Sequence, residues 1–253
     1  MSSSNKAKNI RNLFAAVFWL LVWQGASMLI GKAYILPAPL DTARALGVLL
    51  TEASFYRAIL SSLLRIMLGF VSAVAAGICL AVLAYRFTVA ETLVSPLLSA
   101  MKAAPVASIV ILALFLLPSS RYLSVLISFF MVLPVIYVNL LTGLKSTDVR
   151  MLEMAKVFRL KPKNKFIGIY LPAVLPHFLS AMLVAIGICW KSGIAAEVIG
   201  QPKNSIGSML YYTKVNFDVK SMFAWTVMIV LISVLLEKAA VRLIRYIEGR
   251  LSK

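Results

Sequence analysis

The chain has 253 residues, 61% hydrophobic and only 14% charged, and so lacks the polar groups needed to coat a globule. An ordinary soluble domain carries about 45–50% apolar and about 25% charged residues, so a soluble enzyme or binding module is excluded and lipid is part of the solvent. The formal net charge of +17 is spread between apolar runs with no aromatic-studded basic groove, which reads as membrane orientation and excludes a nucleic-acid surface.

A bilayer core about 30 Å thick takes roughly 20 apolar residues per helical crossing, so the length predicts an all-α polytopic bundle of about six spanning helices. It forms a single domain over residues 1–253, with a core at 57–245 and an N-terminal helix at 13–30. In chain order the candidate spans are 13–30, 63–85, 103–117, 123–144, 173–190 and 222–236. The first follows a basic start and has no A-x-A-like cleavage site, so it reads as a retained helix. After Leu36-Pro37-Ala38-Pro39, which must be extended, Asp41 is placed to cap an interfacial helix with Leu46, Leu49 and Leu50 on one face. Cys79 and Cys189 lie in apolar runs without metal-ligand spacing and read as buried small hydrophobes. Pro105 and Pro118 bracket the third span, and Pro134 predicts a kink in the fourth. The stretch from Gly200 to Lys220 reads as a polar outer connection, with Tyr211-Tyr212 at headgroup level.

Counting Lys and Arg on alternate sides puts seventeen of the 26 on the side that holds both ends, which predicts cytoplasmic termini. The longest connection on that side, 145–170, is too basic to span a membrane and too patterned to be slack. Met151, Met154, Ala155 and Phe158 recur at helical spacing after a cap at Thr147 or Asp148. Pro162 suits the first position of a second helix, so the chain is expected to turn at Arg159 to Lys161. The product is a bent helical pair. From pattern alone, its apolar face either docks in a partner's groove or seats on the protein's own surface.

The loop contains Glu153-Met154-Ala155, then three residues, Arg159, nine residues, and Ile169-Tyr170-Leu171-Pro172. This resembles the EAA loop of binding-protein-dependent ABC importer permeases: Glu-Ala-Ala, three residues, Gly, nine residues, Ile-x-Leu-Pro. Met154 stands for the second residue and Arg159 for the Gly. A residue with a Cβ is strained at positive φ, which lets the turn fall one residue later. Leu36-Pro37-Ala38-Pro39-Leu40-Asp41, Ser61-x3-Arg65-x3-Gly69-Phe70 and Ala195-Ala196-Glu197-x2-Gly200 are similar to the nitrate, sulfonate and taurine branch, so the resemblance covers nearly the whole chain.

The resemblance implies a bacterial inner-membrane permease without cofactor that pairs with itself or a close relative. Its implied partners are two ATP-binding subunits and an extracytoplasmic solute-binding protein. The coupling loop is then Glu153, Met154, Ala155, Phe158, Arg159, Leu160, Lys161 and Pro162, closed by Leu171 and Pro172. A small anion is the implied cargo, although nitrate, sulfonates, taurine, bicarbonate and a vitamin precursor all remain open.

Polar residues in apolar runs mark a candidate pathway: Asn139, Trp190, Lys191, Ser192 and Glu197, with Lys191 placed to meet an anion, pair with Glu197 or reach headgroups. No G-x-x-x-x-G-K phosphate loop is present, so ATP hydrolysis is expected on a separate subunit. The alternative is an ion-gradient-driven secondary transporter, which needs buried carboxylates; all nine acidic residues are expected at or outside helix ends.

Overall fold

The computed structural model describes residues 2–251, and among these the secondary structure is helical throughout. The helices are α1 (Ser2–Ile30), α2 (Pro39–Leu49), α3 (Ala53–Arg86), α4 (Thr88–Ala103), α5 (Val106–Leu116), α6 (Leu123–Lys145), α7 (Val149–Val157), α8 (Pro162–Lys165), α9 (Leu171–Gly200), α10 (Ile206–Val215) and α11 (Val219–Leu251). A 3₁₀ turn, Ser120–Tyr122, leads into α6, and a π turn, Phe166–Tyr170, joins α8 to α9. Among the described residues, four helical segments are long and apolar enough to cross a membrane: Ala53–Arg86, Ser120–Lys145, Pro162–Gly200 and Val219–Tyr246. The shorter apolar stretch Phe14–Ile30 of α1 and the pair α4 and α5 complete the six apolar segments.

The third expected span is not one straight helix. α4 and α5 meet at 108°, because Ala104 and Pro105 are both extended and Pro105 cannot continue the hydrogen-bond ladder of α4. With 11 residues, α5 is about 16 Å long at 1.5 Å per residue, roughly half a bilayer core. It folds back so that Val110 and Ala113 pack with Leu123 and Ile127 of α6 and Ala196 of α9. Pro134, by contrast, sits inside an unbroken α6.

The core is a triad of α3, α6 and α9. On α3, Gly69, Ala73, Gly77 and Ala81 are four residues apart and buried, a small-residue stripe that lets α6 approach closely. A β-carbon at Gly69 would run into the carbonyl of Val125 on α6. Around this stripe Ile66, Phe70, Ile136, Tyr137, Ala185 and Trp190 form the center of the apolar core. Of the two cysteines, Cys189 is buried as expected and Cys79 is exposed on α3, on the side away from the stripe.

Two details of the expected interfacial region are corrected. α2 begins at Pro39, with Ala38 as its extended cap residue, so Asp41 lies in the first turn and makes no cap hydrogen bond. Proline's fixed φ makes it a better first residue than the sequence reading allowed. Asp41 instead pairs with Lys220 at 3.4 Å, tying α2 to α11. Trp23 Nε1 and Ser27 Oγ donate to the carbonyls of Pro37 and Leu36, at 3.1 and 2.9 Å, and hold α1 to the proline segment. The polar connection after Gly200 also contains a helix, α10, opened by a Ser205/Ser208 capping box.

Candidate functional site

The bent pair forms as the sequence predicts. Asp148 is the cap of α7, its Oδ1 accepting from Arg150 N at 2.8 Å. Ala155 is buried, whereas Met151, Met154, Val157, Phe158 and Leu160 are exposed, Val157 and Phe158 at 79% and 72%. The apolar residues of α7 therefore do not seat the helix on this chain's own surface; only Ala155 and, in part, Leu152 turn inward.

The turn does not move to the next residue. Arg159 itself adopts φ +48°, the conformation reserved for Gly in the motif it resembles. Leu160 N donates to Ala155 O at 3.0 Å and Arg159 N to Lys156 O at 3.1 Å, the two crossed bonds of a Schellman cap. These bonds satisfy two carbonyls that the helix end leaves free, which offsets the strain of a Cβ at positive φ. Lys161 is then extended and Pro162 starts α8.

From Pro162 the chain continues through the π turn into α9 as one apolar segment of 39 residues, ending at Gly200. At 1.5 Å per residue this is a rod about 58 Å long. Its lower part is braced by Tyr170, whose hydroxyl accepts from Tyr85 of α3 at 3.5 Å and whose ring lies 5.6 Å from Lys165 Nζ. Leu171 is half-buried and Pro172 exposed where the rod enters α9. The second helix of the bent pair is thus continuous with α9.

The far end of that rod holds a buried charge cluster. The fifth span was expected to stop at Trp190, but α9 runs to Gly200, so Glu197 is inside it and wholly buried. This corrects the placement of every acid at or beyond a helix end. Glu197 does not pair with Lys191. Its carboxylate faces Arg65 Nε of α3 at 3.4 Å and accepts from Ser62 Oγ at 2.6 Å, Ser124 Oγ of α6 at 3.1 Å and Gly207 N at 3.4 Å. Ser62 Oγ in turn accepts from Ile206 N at 2.9 Å, so the first N–H groups of α10 are satisfied by two side chains of the core. A carboxylate at a helix N-terminus gains from the helix dipole as well as from Arg65. Gly207 is needed there, because a β-carbon would collide with the backbone of Glu197.

The other candidate residues are dispersed. Trp190 is fully buried and donates from Nε1 to Ile229 O at 3.1 Å, and Ser192 is buried and donates to Cys189 O at 3.3 Å. Lys191 is exposed. Asn139 Nδ2 donates within its own helix to Val135 O at 2.9 Å. Sequence reasoning missed Arg65 as the partner of Glu197 and Arg121 as its neighbor in a basic cleft. The signal for Arg65 was its place in Ser61-x3-Arg65-x3-Gly69, on the face of α3 that meets α6 and α9. Among the described residues there is no His, Cys, Asp or Glu cluster able to hold a metal ion.

This build, long apolar helices around a close-packed triad with an exposed helical elbow at one end, is that of a polytopic membrane protein. The chain matches the binding-protein-dependent transport system inner membrane component over residues 73–253, and it belongs to that family. It is 24% identical over 251 residues to an aliphatic sulfonates transport permease protein of Bacillus subtilis, covering 96% of this chain and 87% of that one. It is 24% identical to a formylaminopyrimidine transport permease protein of Halalkalibacterium halodurans, covering 81% of each. A nitrate import permease protein of Leptolyngbya laminosa is 24% identical over 149 residues, 59% of this chain and 53% of that one. Among solved structures, a chain of a bacterial ABC transporter involved in the import of the acidic polysaccharide alginate shares the fold, with a TM-score of 0.66 at 14% identity over 98% of this chain and 99% of that one. The chain is thus a permease component of an ABC importer.

Proposed function

We propose that the chain forms half of the translocation pathway for a small anionic solute and is driven by a separate ATP-binding subunit that grips α7 and α8. Two copies, or this chain and a close relative, enclose the pathway in the bacterial inner membrane, and a solute-binding protein delivers the cargo from outside. The observation that carries the reading is the apolar surface of Met154, Val157, Phe158 and Leu160, exposed on a stiff Schellman-capped elbow that continues into α9. A short rigid helix pair whose apolar face fits a partner's groove transmits a push that a slack loop would absorb.

With Lys156, Arg159, Lys161, Lys163 and Lys165 around it, the elbow lies on the cytoplasmic side, and both termini lie there too. The sulfonate and nitrate permeases among the relatives support an anionic cargo. Lys191, exposed on α9 and without an ion pair among the described residues, is the candidate of the pathway set to meet it.

The carrier alternative has one point in its favor, the buried carboxylate of Glu197. A gradient-driven carrier, however, needs a carboxylate that exchanges partners, and Glu197 is saturated by a guanidinium, two hydroxyls and a helix N-terminus. The test is purification of the tagged permease from native membranes in mild detergent. An ATP-binding subunit is expected to co-purify, and Glu153→Arg is expected to release it while the permease still inserts. Solute uptake by the chain without any ATPase would overturn the proposal.

A further inference from the structure

At the end of the bundle remote from the elbow lies a cleft of about 640 Å³. Its place follows from connectivity: α6 starts beside the cleft and ends at the loop into α7, and 23 residues at 1.5 Å each put the two about 35 Å apart. The walls come from α3, the turn before α6 and the loop after α9, which contribute Arg65, Ser119, Ser120, Arg121, Lys203 and Asn204.

The charges in this cleft do not balance. Arg65, on the inner wall, is held by Glu197 at 3.4 Å and by the Asn204 carbonyl at 3.2 Å. Arg121 and Lys203 are exposed and have no ion pair among the described residues. No carboxylate lines the cleft, so two uncompensated cations face one concave space. Beside them stand the hydroxyls of Ser119 and Ser120. Ser119 Oγ accepts from Arg121 N at 3.2 Å, which leaves its own proton to donate outward. The helical segment Ser120–Lys145 opens here, adding the positive end of its dipole.

We infer that this cleft is a receiving site for a small oxyanion of the sulfonate or nitrate class, bound by Arg121 and Lys203 with Ser119 and Ser120 as hydroxyl donors. Cations and hydroxyls converging in a recess are the chemistry that holds such groups by charge-assisted hydrogen bonds. The volume lies within the roughly 300–1,000 Å³ of small-molecule sites. A protein-docking patch would instead present an aromatic or apolar center, and Leu64 is the one apolar side chain here. The inference deepens the importer reading by giving its anion a first contact outside the membrane.

The test uses the complex of permease and ATP-binding subunit with Cys79→Ser and Leu64→Cys, the new thiol reporting from the cleft wall. Its reaction rate with neutral bromobimane is measured against methanesulfonate, nitrate or sulfate, with chloride keeping the ionic strength constant. Methanesulfonate or nitrate is expected to slow the reaction saturably, and Arg121→Gln or Lys203→Gln each to raise the half-protecting concentration roughly tenfold. Thermal stabilization of the unlabelled complex by the same anions, lost in Arg121→Gln, provides a second readout if Leu64→Cys folds poorly. Protection no greater than that of chloride, with no stabilization, would overturn the inference. So would loss of solute-binding-protein capture in Arg121→Gln without any small-anion effect, which would assign the cleft to protein docking. Retention of the ATP-binding subunit in the same preparation separates failure here from failure of the importer reading.

Discussion

The contact of Arg65 with Glu197 allows a quantitative test of how the far end of the rod is held. Glu197→Ala removes the counter-charge of a guanidinium whose side chain is 13% exposed and strands the donors of Ser62, Ser124 and Gly207. Breaking a buried pair from one side costs about 3–5 kcal/mol. Because Arg65 also donates to the Asn204 carbonyl, the lower end, about 3 kcal/mol, is expected. Arg65→Gln leaves a carboxylate that still accepts three hydrogen bonds, so its expected cost is about 2 kcal/mol. The cycle is closed by the single variant Glu197→Gln and the double variant Arg65→Gln/Glu197→Gln, which carries no buried charge, and a coupling of at least about 1.5 kcal/mol between the two Gln substitutions is expected. Denaturation in mixed micelles, followed by the fluorescence of the buried Trp190 and Trp225, measures each cost and the coupling. If the single costs add to within about 0.5 kcal/mol, the two groups do not act as a pair and the reasoning fails.

Three further outcomes are expected. Gly207→Ala drives a methyl group into the backbone of Glu197 and is expected to cost about 1–3 kcal/mol in the same denaturation assay, as overpacking does. Arg159→Gly relieves a positive φ and is expected to stabilize the elbow by up to about 1 kcal/mol, whereas Arg159→Val is expected to destabilize it, both read as the thermal midpoint of the purified complex. Ala155→Trp overfills the buried apolar site at the center of α7 and is expected to abolish solute uptake while membrane insertion, followed by blotting, is unchanged.

The apolar runs were legible because a membrane helix advertises itself by length alone, and the elbow was legible because Asp148, Ala155 and Pro162 each have a strong local preference. The conformation at Arg159 was not, since its strain is offset by the crossed bonds from Leu160 and Arg159 to Ala155 and Lys156, which no single position reveals. The bend at Pro105 was half-legible: proline announced a break, but the 108° angle depends on α5 packing back onto α6 and α9. Glu197 was read as lying at or beyond the outer end of a helix because the apolar run ends at Trp190. Ser192, Gly193 and Ala196 continue the helix while burying little apolar mass, and the carboxylate is stabilized by Arg65, 132 positions away in sequence. α10 was hidden for a related reason. Its helix start is secured by Ser62 and Glu197 from other elements, so Gly200 to Lys220 reads as a polar connection until those partners are in place.

The central claim is that the α7–α8 elbow faces the cytosol and is held by the ATP-binding subunit. It is tested most directly by placing a photo-activated cross-linker on the cysteine introduced by Phe158→Cys, in a Cys79→Ser background whose remaining Cys189 is buried, and irradiating native membranes. An adduct between the permease and the ATP-binding subunit is expected from position 158, with none from Asn204→Cys at the opposite end. Labelling of position 158 by an impermeant reagent added outside intact cells, together with no such adduct, would contradict the account.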